Sequence, residues 1–232
     1  VNVFNRTEVV DNVYFALFKA ETEPRWSGNV KKLKIVEQTS GGETFLQIVS
    51  KENSSISAFS TDGRIRTDAL THWSNSSGYD VVATYEPEDI AGRDGRSVNR
   101  GASGQQIPGY LKPSDPAQSG DPGLDNIVGS ARQLYTIDSA GNNLIALNAN
   151  AVLAGELQDR LHAADVTEAE TLLKWTRGID VDDSDGDGSS VDARPWLMGD
   201  PIHGRPVAVN YGVVGGAGYT EDNPNLRVFF GA

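Results

Sequence analysis

The residues best equipped for chemistry stand in one stretch: Asp180-Val181-Asp182-Asp183-Ser184-Asp185-Gly186-Asp187-Gly188-Ser189-Ser190-Val191-Asp192. Asp183, Asp185 and Asp187 alternate, then Gly188 and Asp192 follow. Calcium takes about six to eight hard oxygens at about 2.3–2.6 Å, and a tight loop supplies them from alternate carboxylates plus a backbone carbonyl. Asp-x-Asp-x-Asp-Gly meets that need, because alternate side chains converge on one centre while glycine lets the backbone turn around it. The predicted ligands are Asp183, Asp185 and Asp187, the carbonyl of Ser189, and Asp192 closing the shell, with calcium as the cofactor. A helix–loop–helix calcium site needs a bidentate Glu at loop position 12. Counted from Asp183, that place holds Arg194, and the closing acid comes two positions early. A solvated acidic turn is the plain alternative. Without metal these carboxylates would repel one another and leave the loop loose.

Other chemistries find less support. The histidines, His72, His162 and His203, come with no His-x-x-His or Glu-x-x-His spacing, so a zinc enzyme is not indicated. His203 is expected to make a structural hydrogen bond. There is no Gly-x-Ser-x-Gly nucleophile elbow and no phosphate-binding Gly-x-x-x-x-Gly-Lys-Ser/Thr. Cysteine is absent, which removes disulfides, thiol nucleophiles and Cys-ligated zinc. Trp26, Trp73, Trp175 and Trp196 are read as core anchors. No residue is assigned a catalytic role, and the chain is not expected to be an enzyme.

Charge narrows the partners. The 232 residues include 20 Lys and Arg against 32 Asp and Glu, a net charge of −12. That balance argues against a generic nucleic-acid binder or docking on anionic lipid, and it makes cations the natural small partners. At 38% hydrophobic the chain is too apolar for wholesale disorder, and no run approaches the ~20 residues of a membrane span. It begins with Val and shows no signal peptide, which reads as a mature chain or a piece of a longer one.

The elements that must position the acidic stretch are mostly strands. Short apolar runs recur at 13–18, 30–36, 45–49, 56–59, 81–85, 133–137, 144–147, 207–211 and 226–230, several of them bounded by Gly, Asn, Asp or Pro. Gly41-Gly42 between the second and third predicts a hairpin. One region differs. Leu153, Leu157 and Leu161 form a helical stripe, and Thr167-Glu168-Ala169-Glu170 is a capping-box pattern ahead of Leu172, Leu173 and Trp175, with Gly178 as a stop. A helical insertion is therefore placed at 151–177, directly before the calcium loop at 180–194. Residues 86–126 read as one long Gly/Ser/Pro/Asp-rich loop, a surface excursion or a functional loop.

Phe4-Asn5-Arg6, Tyr14-Phe15-Ala16-Leu17-Phe18, Arg25-Trp26-Ser27-Gly28-Asn29 and Trp175-Thr176-Arg177-Gly178-Ile179-Asp180, with further segments in order, resemble the PilC/PilY family of type IV pilus biogenesis factors and tip adhesins. Phe4-Asn5-Arg6 and Asp11 to Phe18 come first, with the Tyr-x-Ala-Leu-Phe strand at Tyr14 to Phe18. Arg25-Trp26-Ser27-Gly28-Asn29-Val30-Lys31-Lys32 follows, then Asp62-Gly63-Arg64-Ile65 with Trp73. Arg132-Gln133-Leu134-Tyr135-Thr136, Trp175-Thr176-Arg177-Gly178-Ile179-Asp180 and Gly199-Asp200-Pro201-Ile202-His203 with Pro206 complete the series. Gly204 departs from the Ser usual there, and Phe229-Phe230-Gly231-Ala232 falls where the family continues into a further strand turn.

The resemblance implies a mainly β chain that is a portion of a modified β-propeller, residues 1–232 forming one incomplete domain with a short helical insertion and long loops. It implies a calcium loop tied to pilus assembly, retraction control and adhesion. The partners would be minor pilins and the pilus tip complex, a host or surface receptor, and the remainder of the propeller chain. The location would be the bacterial cell surface, the pilus tip, or the outer membrane and periplasm. Two alternatives stay open: a propeller-based secreted hydrolase with paired carboxylates, and a non-pilus exported carbohydrate- or protein-binding module.

Overall fold

A computed structural model describes residues 11–20, 22, 26–74, 90, 92–107, 134–184, 186, 188–191, 194, 196–201, 204–216, 218–220 and 224–231. The chain is mainly β, with antiparallel sheets and few helices. It divides into two compact units, one built from Val1–Ser74, Glu88–Ser103 and Met198–Ala232, the other from Asn75–Pro87 and Gly104–Leu197.

The first unit is organised by a four-stranded meander, β1 (Asn12–Lys19), β2 (Ser27–Ser40), β3 (Glu43–Ser50) and β4 (Asn53–Ser57). β2 is long enough to pair twice. Its first half lies against β1, with Tyr14 opposite Lys32 and Asn12 opposite Lys34. Its second half lies against β3, with Lys34 opposite Val49 and Ser40 opposite Glu43. Gly41 and Gly42 close that hairpin at φ +63° and +86°, the double left-handed turn whose twist matches the flanking strands. The pleat then sorts β2 onto two faces. Leu33 is buried on one of them, and alternation places Lys31 there too, with no exposed surface at all. Lys32 and Lys34 face the other way.

Lys31 is tolerated because segment 92–103 is packed on that face. Its Nζ donates to Asp94 Oδ2 (3.1 Å) and to the carbonyls of Asp94 (2.6 Å) and Gly95 (2.7 Å). The Asp94 carboxylate also accepts from Thr71 N (2.8 Å) and Thr71 Oγ1 (2.6 Å). Asn29 Nδ2 reaches the carbonyls of Val98, Arg100 and Gly101, while Ser103 Oγ donates to Asn29 Oδ1. Buried backbone without secondary structure must find partners elsewhere, and here β2 side chains supply them. Of the stretch read as a long loop, 86–126, residues 90 and 92–107 are described, and Asp94, Arg100 and Ala102 within them are buried. The edge of β2 that β3 does not cover is filled by His72 N donating to Lys32 O, Ser103 Oγ accepting from Val30 N, and Gly28 N donating to Met198 O. A side chain at Gly28 would come within 2.2 Å of Gly199 O, so only glycine lets these backbones close. Likewise a Cβ at Gly204 would stand 2.6 Å from Gly231 O, a physical reason for glycine where the family resemblance expects Ser. β7 (Val207–Asn210) and β8 (Leu226–Phe229) form a separate two-stranded pairing in this unit.

The second unit pairs a short hairpin, β5 (Tyr135–Ile137) with β6 (Leu144–Ala146), with two helices, α2 (Ala151–Leu161) and α3 (Val166–Arg177). α1 (Ala102–Gln105) is a single turn at the junction of the two units' residue ranges. The leucine stripe behaves as its spacing predicts: Leu153 and Leu157 are buried against Ala169 and Leu173, with Ile145, Leu147 and Leu161 around them. Each such leucine contributes about 1.5–3 kcal/mol on burial. Asn150 caps α2 by accepting from Leu153 N. The cap of α3 differs from the sequence expectation. Asp165, not Thr167, is the N-cap; it accepts from Glu168 N (2.8 Å), and Glu168 reaches back to Ala164 N (2.6 Å). Asp outranks Thr at this position, and Asp165-x-x-Glu168 is the same reciprocal pattern two residues earlier.

The expected strand at 81–85 lies outside the described residues. Those at 13–18, 30–36, 45–49, 144–147, 207–211 and 226–230 correspond to β1, β2, β3, β6, β7 and β8. The run at 56–59 is displaced: β4 ends at Ser57, and Phe59 forms only an isolated bridge with Ile65. β5 covers the last three residues of the run at 133–137. The tryptophans are half-buried rather than deep core anchors: Trp26 stacks on Phe18, Trp73 packs at a tilt against Tyr14, and Trp175 lies under Arg194.

Candidate functional site

The acidic loop begins where α3 is forced to stop. Gly178 takes a left-handed φ of +103°, and its N–H bonds back to the carbonyls of Lys174 and Trp175. Next, Asp180 is fully buried and accepts from Ser184 N (2.8 Å) and Ser184 Oγ (2.6 Å). Asp180 is thus a staple at the loop's entrance. At the exit, Arg194 N donates to Gly178 O (2.9 Å), and its guanidinium lies 3.9 Å from the centre of the Trp175 ring. Both stems therefore return to the C-terminal end of α3. A cation over an indole face is worth about 0.5–2 kcal/mol.

Of the predicted ligands, Asp183 and Ser189 are described; Asp185, Asp187 and Asp192 lie outside the described residues, as does His203. Asp183 itself adopts φ +49°, and its Oδ1 accepts from Gly188 N (3.1 Å), with Gly188 at φ +88°. The first acid of the series is thereby tied to the glycine five residues on. Ser189 Oγ accepts weakly from Val191 N (3.5 Å). Among the described residues no group of three or more His, Asp or Glu is placed to hold a metal ion.

Sequence reasoning missed two residues that set this geometry. Asp180 was one acid among many, yet its burial and the Ser four positions on separate it from the solvent-facing carboxylates. Arg194 stands where a helix–loop–helix calcium site has Glu, and its role is the stack on Trp175. The Asp-x-x-x-Ser spacing was a signal for the first. Nothing in the sequence placed Trp175 beneath the second.

In the first unit a cavity of about 330 Å³ is lined by Glu52, Asp68, Arg66 and Arg93 among others. Its two acids are already engaged, Glu52 by Arg93 and Asp68 by Arg66. The hydrogen bond from Arg66 is the main cause holding the Asp68 carboxyl below its ordinary range. Asp62 and Asp138 are also lowered, mainly by bonds from Ser60 and from the backbone N–H of Asn142 respectively.

Compared with models of known protein families, with curated proteins and with solved structures, the chain matches none. No helix among the described residues is long and apolar enough to cross a membrane.

Proposed function

We propose that this chain is a calcium-binding module of a PilC/PilY-type pilus protein, with Asp183, Asp185, Asp187, the Ser189 carbonyl and Asp192 as ligands. The observation that carries the calcium reading is the Gly188 N bond to Asp183 Oδ1, inside a loop stapled at both stems. It supports a loop that turns around one centre, as an alternating-acid metal loop requires. The placement in a pilus machine, with minor pilins and a surface receptor as partners, rests on the ordered segments of resemblance. So does the reading of the sheets as part of a modified β-propeller on an exported protein. A hydrolase would need a carboxyl with a raised pKa to act as general acid. The perturbed carboxyls among the described residues, Asp62, Asp68 and Asp138, shift the other way.

The test of the metal is a thermal melt with calcium and again with chelator, on the intact chain and on Asp185→Ala. A calcium-dependent rise in Tm that Asp185→Ala abolishes is expected. No shift in either protein would remove the reading. Capture of minor pilins by the immobilised chain tests the pilus placement separately, and its failure would leave the calcium result standing.

A further inference from the structure

A second charged site lies on the sheet face opposite the Lys31–Asp94 pair. There β1 and β2 place Asn12 opposite Lys34 and Tyr14 opposite Lys32, so alternation puts all four side chains on one face. His72 joins them at the edge of β2, where its N–H donates to Lys32 O (2.8 Å). Trp73, the next residue, packs its ring 5.3 Å from that of Tyr14. Three polar atoms of this patch are buried with no hydrogen-bond partner: Asn12 Oδ1, Tyr14 OH and His72 Nε2. Neither Lys32 nor Lys34 forms an ion pair with a described residue, and Lys51 close by spends its Nζ on Ser74 O (2.8 Å). In a chain with a 12-charge acidic excess, this face gathers basic side chains with no carboxylate paired to them among the described residues.

We propose that this face binds an oxyanion, a carboxylate or phosphate group, held by Lys32, Lys34, the Tyr14 hydroxyl and His72 Nε2. Every one of these groups is able to donate to an anionic oxygen. Asn12 Oδ1 is an acceptor and suits a hydroxyl carried on the same ligand. No other chemistry fits as well, since a cation would meet two ammonium groups and an apolar ligand would leave all three orphaned atoms unpaired. The titration of the patch agrees with an unfilled demand for negative charge. His72 is pushed down to about 4 by burial, then by Lys34, Lys32 and Lys51. Lys32 is lowered by burial and by Lys34, and burial pushes the Tyr14 phenol up to about 12. The site shares no residue with the acidic loop.

The test is a nuclear magnetic resonance titration of the His72 imidazole in the intact chain. Sodium phosphate is added in one arm and sodium acetate in the other, with sodium chloride at matched ionic strength as reference. A saturable His72 shift in either arm is expected, and the arm that saturates at lower concentration names the group. The bound anion should raise the His72 pKa by about one unit or more, and reciprocity then strengthens binding about tenfold as pH falls through that range. Among the described residues, the charged groups facing His72 are Lys32, Lys34 and Lys51, with the Tyr14 phenol on the same face. Lys34→Gln, on an exposed position, and Lys32→Gln should each weaken binding about tenfold; if Lys32→Gln fails to fold, Lys34→Gln decides. A response no different from chloride, or saturable binding that Lys34→Gln leaves unchanged, overturns the proposal.

Discussion

The acidic loop at 180–194 and the basic face of the β1–β2 sheet handle like charge in opposite ways. In the loop, carboxylates follow one another in sequence, and the chain anchors the excursion at its stems through Asp180, Arg194 and Trp175. On the sheet, basic side chains come together from separate elements, the Lys32 and Lys34 ammoniums from β2 and the His72 imidazole from the segment along its edge. The contrast sharpens within β2. Lys31 is buried and fully partnered by Asp94 and two carbonyls, while Lys32, its neighbour, faces the other way with no such partner. Net charge therefore predicts little about any one surface. What decides is whether the fold brings a countercharge to that face.

The contrast between partnered and unpartnered charge can be put to experiment. The largest effect is expected from Lys31→Met, which leaves the Asp94 carboxylate buried without its cation and should cost about 3–5 kcal/mol in denaturant unfolding. Lys32→Met should change stability by less than about 1 kcal/mol. Equal losses for the two would erase the distinction between partnered and unpartnered lysines. Next, calcium at 100 times its dissociation constant should add about 2.7 kcal/mol, read by calorimetry and absent in Asp185→Ala. Arg194→Ala removes the stack on Trp175 and should cost about 0.5–2 kcal/mol, with weaker calcium binding as the exit stem loosens. If calcium affinity were untouched, the stem would be irrelevant to the site.

The pH dependence gives the smallest effect. The His72 pKa is lowered in the folded chain from 6.5 to about 4, so the unfolded chain takes up the proton first. The stability it contributes is whole above about pH 6.5 and is lost as pH falls from there towards 4. His72→Gln should flatten that part of the stability curve, and saturating oxyanion should do so partly as well. A curve for His72→Gln that matches the parent would show that another group sets the slope.

Much of the fold was legible in the sequence because it is local. Alternation in β2, the Gly41-Gly42 turn, the leucine stripe of α2 and the stop at Gly178 each rest on residues within a few positions of one another. The displaced cap at Asp165 was equally local, and two overlapping Thr/Asp-x-x-Glu patterns competed for it. The loop at 180–192 was visible for the same reason, since alternating acids are a short-range signal. Less legible were the residues that hold it. Arg194 reaches Trp175 across nineteen positions, a relation that depends on α3 ending where it does. The buried Lys31 was hidden too, because alternation alone places a lysine on the core face and gives no sign of Asp94, 63 residues away.

The strand-rich character, the helical pair, the acidic loop and the net charge of −12 are written in the residues alone. Each follows from residue type and near-neighbour spacing, the range over which backbone propensity and side-chain periodicity act. How the lysines of one strand are sorted depends on long-range packing. Packing of segment 92–103 gave Lys31 its carboxylate and carbonyls, and the register of β1 against β2 gathered Asn12, Tyr14, Lys32 and Lys34 on the opposite face. The physical reason is that burying a charge is costly until a partner arrives from elsewhere in the chain, and only folding brings that partner within reach.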